Sequence, residues 1–305
     1  SMPRDTGPYA KAAWAWLHRI EAFEKATLFH QVENLAWWRK RRDLPQVRPD
    51  TSHLALKRLG EAISDFLLLS QGRGQACTVE HFSRSDGTDY FFAHADDFVE
   101  NITSHDDEGT LSPKVLKQTF VMDFAFNADE GSLELFARVP GKLKVEIEKI
   151  FCGSILRQPL GDWCPEAAYE LDQLKDPSFI LATDPEDQLR VWVRRLRLSF
   201  RTNGRRILLE VPSGDDSMHE MMAQCLCSEN VSMDDVHVTL ATLTFEFLAQ
   251  EGRKPGTLTF DVAWPHYCSL RNQRPERVEI AQKYLKRWKM DVGRSLSFDL
   301  ETAGE

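Results

Sequence analysis

The feature that most limits what this chain can fold into is a change of hydrophobic period near residue 75. Before it, apolar residues recur at helical spacing; after it, they alternate, and the alternating runs are joined by glycine turns. Residues 8–42 read as one long helix, with Trp14, Leu17, Ile20, Leu28, Val32 and Leu35 in phase, Pro8 in the first turn and Arg39-Lys40-Arg41-Arg42 at its C-terminal end. Pro45 and Pro49 break it, and a second helix follows over 53–71, ending at Gly72 and Gly74. Residues 1–75 are thus expected to form a helical hairpin.

From residue 76 four β-hairpins are expected. They span 76–95, turning at Asp86-Gly87; 117–139, turning at Asp129–Gly131; 190–211, turning at Asn203-Gly204; and 236–264, turning between Gly252 and Gly256. A two-residue turn at Asn203-Gly204 would set Phe200 opposite Ile207, Leu198 opposite Leu209 and Leu196 opposite Val211, all apolar pairs. Val191 and Val193 are out of phase with Leu198 and Phe200, as Val238 is with Leu243 and Phe245. One extra residue at each place, a β-bulge, accounts for both.

A helix is expected after each hairpin, at 96–103, 141–156, 215–227 and 275–290. The order hairpin–helix–hairpin–helix then occurs twice, over 76–160 and 189–291, which reads as an internal duplication. Residues 161–188, with eight acidic residues and one lysine, form the expected linker, and 292–305 a tail. The fold class is α+β: an N-terminal helical hairpin, then two related halves of antiparallel hairpins covered on one side by helices.

Composition narrows the function. The net charge of −9 argues against a general nucleic-acid coat. Six cysteines without a Cys-x-x-Cys pair suit reduced thiols in the cytoplasm. No apolar run reaches the roughly 18 residues of a membrane span, so no integral membrane association is expected. Ser1 before Met2 reads as a remnant of tag cleavage. The P-loop, G-x-G-x-x-G, G-x-S-x-G and H-E-x-x-H motifs are absent.

Three groups of residues could carry chemistry. Arg195, Arg197 and Arg201 lie opposite the apolar face of the third hairpin, with Arg205 and Arg206 across the turn; forked guanidiniums at that density suit phosphates or nucleic acid. Trp16, Trp37, Arg39 and Arg41 on the first helix would face a partner, since one helix stripe cannot bury all of Trp14, Trp16, Trp37 and Trp38. An even-numbered loop at Asp86-Gly87 would put Cys77, His81, His94 and Asp96 on one strand face, a donor set suited to zinc. The leading expectation is a non-enzymatic interaction or scaffold protein, a subunit of a bacterial cytoplasmic assembly or a homo-oligomer. The alternatives are nucleic-acid binding through the arginine hairpin and a metal-dependent enzyme on the first hairpin.

Overall fold

The structure, a computed structural model, describes residues 7–35, 37–105, 107–160, 167–212, 217–227, 232–250, 253–270 and 273–292. Its helices are α1 (Pro8–His18), α2 (Ile20–Glu33), α3 (His53–Gln71), α4 (Gly141–Phe151), α5 (Met218–Cys227) and α6 (Pro275–Arg287). The main strands are β1 (Trp38–Arg41), β2 (Cys77–Ser83), β3 (Thr88–His105), β4 (Leu111–Asn127), β5 (Ser132–Ala137), β6 (Leu189–Phe200), β7 (Arg206–Glu210), β8 (Val236–Phe247) and β9 (Gly256–Ala263). The fold is α+β, with N-terminal helices and extensive antiparallel sheet interspersed with helices. The chain groups into two compact units: residues 38–170 with 264–267 and 289–305, and residues 1–37 with 171–263 and 268–288.

In the first unit the strands run in the order β2-β3-β4-β5-β1, all antiparallel. One face is apolar because alternate residues of each strand are apolar: Phe91, Ala93 and Ala95 on β3, Met122, Phe124 and Phe126 on β4, Leu133 and Leu135 on β5. Helix α3 lays Leu59, Ile63 and Leu67 on that face, and α4 lays Ile147 and Phe151. The Phe151 ring stacks on Phe124 at 4.9 Å and meets the edge of Phe91 at 5.2 Å. Ser52 caps α3 by accepting from the Ala55 amide, and Gly72 ends it in the left-handed conformation, φ 68°.

In the second unit the order is β7-β6-β8-β9. Phe245 packs with Phe260, with Tyr284 of α6 and with Trp288 just after it. Leu196, Leu198, Leu209, Val236, Val238, Met218 and Met222 are buried. The two phase breaks in the sequence are both β-bulges. Arg194 is extra between the pairs Val193–Leu243 and Arg195–Thr242, and Thr239 is extra between Arg197–Leu240 and Leu198–Val238. Arg197 secures the second bulge by donating to the Thr239 hydroxyl, 2.9 Å, and carbonyl, 3.3 Å. Among the described residues of the acidic segment, Leu171 and Leu174 are buried, Trp288 Nε1 donates to the Ala182 carbonyl at 3.0 Å, and Lys283 on α6 reaches Asp184 at 2.7 Å.

Several expectations are corrected. The helix read over 8–42 is interrupted at Arg19, whose φ of −147° is not helical, and ends at Glu33; Trp38–Arg41 is a strand. Helix α3 belongs to the β2–β5 core and is not half of a helical hairpin. Residues 96–103 are strand, not helix. The turn at 203–204 is a four-residue loop: Gly204 alone is left-handed, φ 69°, and Asn203 uses its side chain to accept from the Arg205 amide at 2.9 Å. A two-residue type I′ turn needs positive φ at both positions. Leu198 therefore faces Ile207 and Leu196 faces Leu209, a shift of two residues that keeps every side chain on its expected face. An internal duplication is not confirmed. In the first unit the second strand of the first hairpin, β3, adjoins the next hairpin, whereas in the second unit it is the first strand, β6. The tail beyond 292 lies outside the described residues, as do 161–166 of the linker.

Candidate functional site

The expected zinc face does not assemble. The first hairpin closes through a three-residue loop, Ser85-Asp86-Gly87, in which the Gly87 amide donates to the Arg84 carbonyl at 3.2 Å and Gly87 takes φ 81°. An odd loop moves the register by one residue relative to an even one. Cys77 faces Ala95, Thr78 faces His94 and His81 faces Phe91. Cys77 and His81 share one side of the sheet; His94 and Asp96 are on the other. Burial, with Asp96 adding to it, pushes the Cys77 thiol up to about 12, which disfavours a thiolate ligand. His81 Nε2 lies 2.9 Å from Asp89, and Asp96 pairs with Lys117 at 2.8 Å.

A carboxylate–imidazole pair forms elsewhere, in the second unit, where His237 Nδ1 lies 2.7 Å from Asp172 Oδ1. These two side chains could serve as ligands of a metal ion. The same carboxylate also accepts from the Val238 amide at 2.8 Å, from Arg201 at 3.1 Å and from Lys175 at 3.3 Å. Burial works to raise the Asp172 pKa, but the Val238 amide, His237 and Lys175 outweigh it and hold the acid below its usual range.

The basic run at 39–42 is not a helix end. Arg39 and Arg41 point from β1 to the face that holds Leu133 and Leu135, and both reach the buried Glu148 of α4 at 2.8 Å. Arg41 also donates through Nε to Asp43 at 2.7 Å, and Arg42 pairs with Asp291. On the opposite face Lys40 lies 3.6 Å from Asp291 and 3.8 Å from Glu134. Arg39 and Arg41 are buried and cannot present themselves to a partner; Trp16 and Trp37 remain about half exposed.

The arginine hairpin is largely committed within its unit. Arg195 and Arg194 pair with Glu210 at 3.0 and 3.4 Å, Arg197 holds the Thr239 bulge, and Arg201 pairs with Asp172. Arg205 and Arg206 are exposed, and between the strands Leu208, not a further charge, faces Arg197.

What the sequence reading missed is a projecting ribbon. Strand β2 pairs with β3 up to Ala95, and β5 pairs with β4 from Met122 onward. Beyond those limits β3 and β4 continue together, from Val99 opposite Lys117 to His105 opposite Leu111. Among the described residues no third strand accompanies them. The ribbon starts at a bulge, where Asp97 and Phe98 occupy one step of β4. Arg73 clamps this root: its guanidinium reaches Asp97 at 2.7 Å and covers the Phe120 ring at 3.9 Å from the centroid. One face carries Val99, Asn101, Thr103 and His105 of β3 with Leu111, Pro113, Val115 and Lys117 of β4, and Val99, Leu111 and Val115 are 59%, 62% and 71% exposed. Fully covering such a side chain contributes about 1.5–3 kcal/mol. A lone two-stranded ribbon is marginal in water.

The signal for it was present. Val99, Ile102 and Thr103 are β-branched, Pro113 is a poor helix residue, and Gly109 closes the tip at φ 81°. The acids at 96–97 imitated the start of a helix.

Among the described residues no helix is long and apolar enough to cross a membrane. Comparisons with protein-family models, curated proteins and solved structures find no match to this chain.

Proposed function

We propose that this protein is a non-enzymatic interaction module, a subunit of a larger bacterial assembly, and that the β3–β4 ribbon is the arm by which it docks. The observation that carries this reading is the exposure of Val99, Leu111 and Val115 on a two-stranded ribbon beyond its neighbouring strands. A protein partner fits it better than nucleic acid, because the tip carries Asp107 and Glu108, which phosphates repel. The cytoplasm, a reducing compartment, suits thiols such as Cys77 and Cys152, which are in no disulfide.

The test shortens the arm. Replacing residues 101–115 with Asn-Gly closes the hairpin where Glu100 already faces Leu116. A partner isolated from the native host on the full chain, then purified, is titrated against both forms. The expected result is affinity lowered at least about 100-fold with little change in unfolding midpoint. Undiminished affinity would overturn the reading. So would a loss that follows Arg205→Ala plus Arg206→Ala instead, or turnover of a substrate that is abolished by His81→Ala or His94→Ala.

A further inference from the structure

The two edges of the ribbon are not alike. On β4, Pro113 stands opposite Thr103, with Lys114 and Lys117 nearby. Proline has no amide to give a ladder, so within a sheet it sits where the backbone nitrogen faces outward. Together with the lysines it blocks strand addition on that side. The edge of β3 has no such protection. From Val99 to His105 it carries no proline, no lysine and one acid, Glu100. The open slot is seven residues long, because at its root Gly74 already donates to the Asp96 carbonyl at 2.9 Å.

We propose that this edge pairs antiparallel with the same edge of a second copy, about a twofold axis at Ile102. The proposal rests on the reading of the ribbon as a docking arm and names its occupant. The midpoint of the slot is Ile102, so a twofold there uses its whole length. It sets Ile102 opposite Ile102, Asn101 opposite Thr103, Glu100 opposite Ser104, and Val99 opposite His105. A β-branched pair meets at the centre, and no two like charges face each other.

The polar pairs are complementary as well. Among the described residues the buried Ser104 hydroxyl finds no hydrogen-bond partner, and the twofold sets Ser104 opposite Glu100 of the other copy. Beyond the slot, each acidic tip reaches the level of the other copy's root. There Arg73 and Lys117 already offset Asp97 and Asp96. The result is a four-stranded ribbon, β4-β3-β3-β4, with prolines on both outer strands and the Val99, Val115 and Leu111 side chains of both copies on one face. Such isologous closure satisfies the edge without leading to fibres.

Sedimentation of the full chain between about 1 and 100 µM tests this, with three variants. The native chain should sediment as a dimer of the 35.0 kDa protomer at the upper end. Thr103→Pro, which removes an outward amide on the strand pair that Pro113 already tolerates, should weaken dimerisation at least about tenfold. Ile102→Lys and Ile102→Glu should each be monomeric, and an equimolar mixture of the two should restore the dimer. A native chain that is monomeric throughout overturns the proposal, as does a dimer that survives Thr103→Pro and Ile102→Lys, or a mixture that stays monomeric. If the native chain is monomeric while the shortened arm still loses its purified host partner, self-pairing fails and the docking arm stands.

Discussion

At the residue scale the central lesson lies in the run Arg39–Arg42. Four consecutive cations look like solvated surface, yet Arg39 and Arg41 sit in the core of the first unit because Glu148 and Asp43 meet them there. Removing one partner of a buried pair costs about 3–5 kcal/mol, since the other charge stays buried. The sequence could not reveal the pairing, because Glu148 is more than a hundred positions away from Arg39. The same environment acts on His266. Burial first, then the charges of Arg39 and Arg41, lower its pKa from 6.5 to about 4. Between those values the unfolded chain binds the extra proton, so stability rises with pH across this window. The contribution is complete above about 6.5 and lost as pH falls through about 4, on the order of 3 kcal/mol at most. In urea titrations, stability should fall less from pH 7 to pH 4.5 in His266→Gln than in the native protein; equal losses would show that His266 does not carry the effect.

At the element scale, loop parity decided which residues share a face. Strand alternation in 77–83 and 88–95 is plain in the sequence, but whether the loop holds two residues or three is not. One residue of difference moved His94 and Asp96 away from Cys77 and His81. At Asn203 the error was two residues, and the faces survived. The bulges at Arg194 and Thr239 were legible because a phase break within an otherwise alternating strand has few other causes. Helix α3 was legible from its apolar stripe and from Gly72 at its end, and the structure adds the cap at Ser52. Its Gly60 gives a prediction whose sign is unusual. An alanine in a helix normally stabilises by about 1 kcal/mol, but a Cβ here would lie 2.5 Å from the Cys77 carbonyl oxygen. Gly60→Ala should therefore destabilise the fold by about 1–3 kcal/mol in equilibrium unfolding. A stabilised variant would mean that α3 does not pack closely on β2.

At the scale of the whole molecule, a helix follows the second, third and fourth hairpins, as the sequence suggests, but none follows the first, and strand order is not visible in the sequence. Nothing local tells β6 rather than β7 to adjoin β8, and that choice separates the second unit from the plain meander of β2 to β5. The ribbon was missed for a local reason: Asp96 and Asp97 imitate the start of a helix, and the β-branched residues beyond them do not alternate cleanly with polar ones. Its exposure is what the functional account uses. Amide hydrogen exchange over the full chain, recorded alone at low concentration and again in complex, whether with a host partner or with a second copy, tests that account most directly. The account predicts new protection across Val99–His105, with Arg206–Glu210 of β7 unchanged. Protection gained only along β7, with the ribbon amides still exchanging freely, would contradict it.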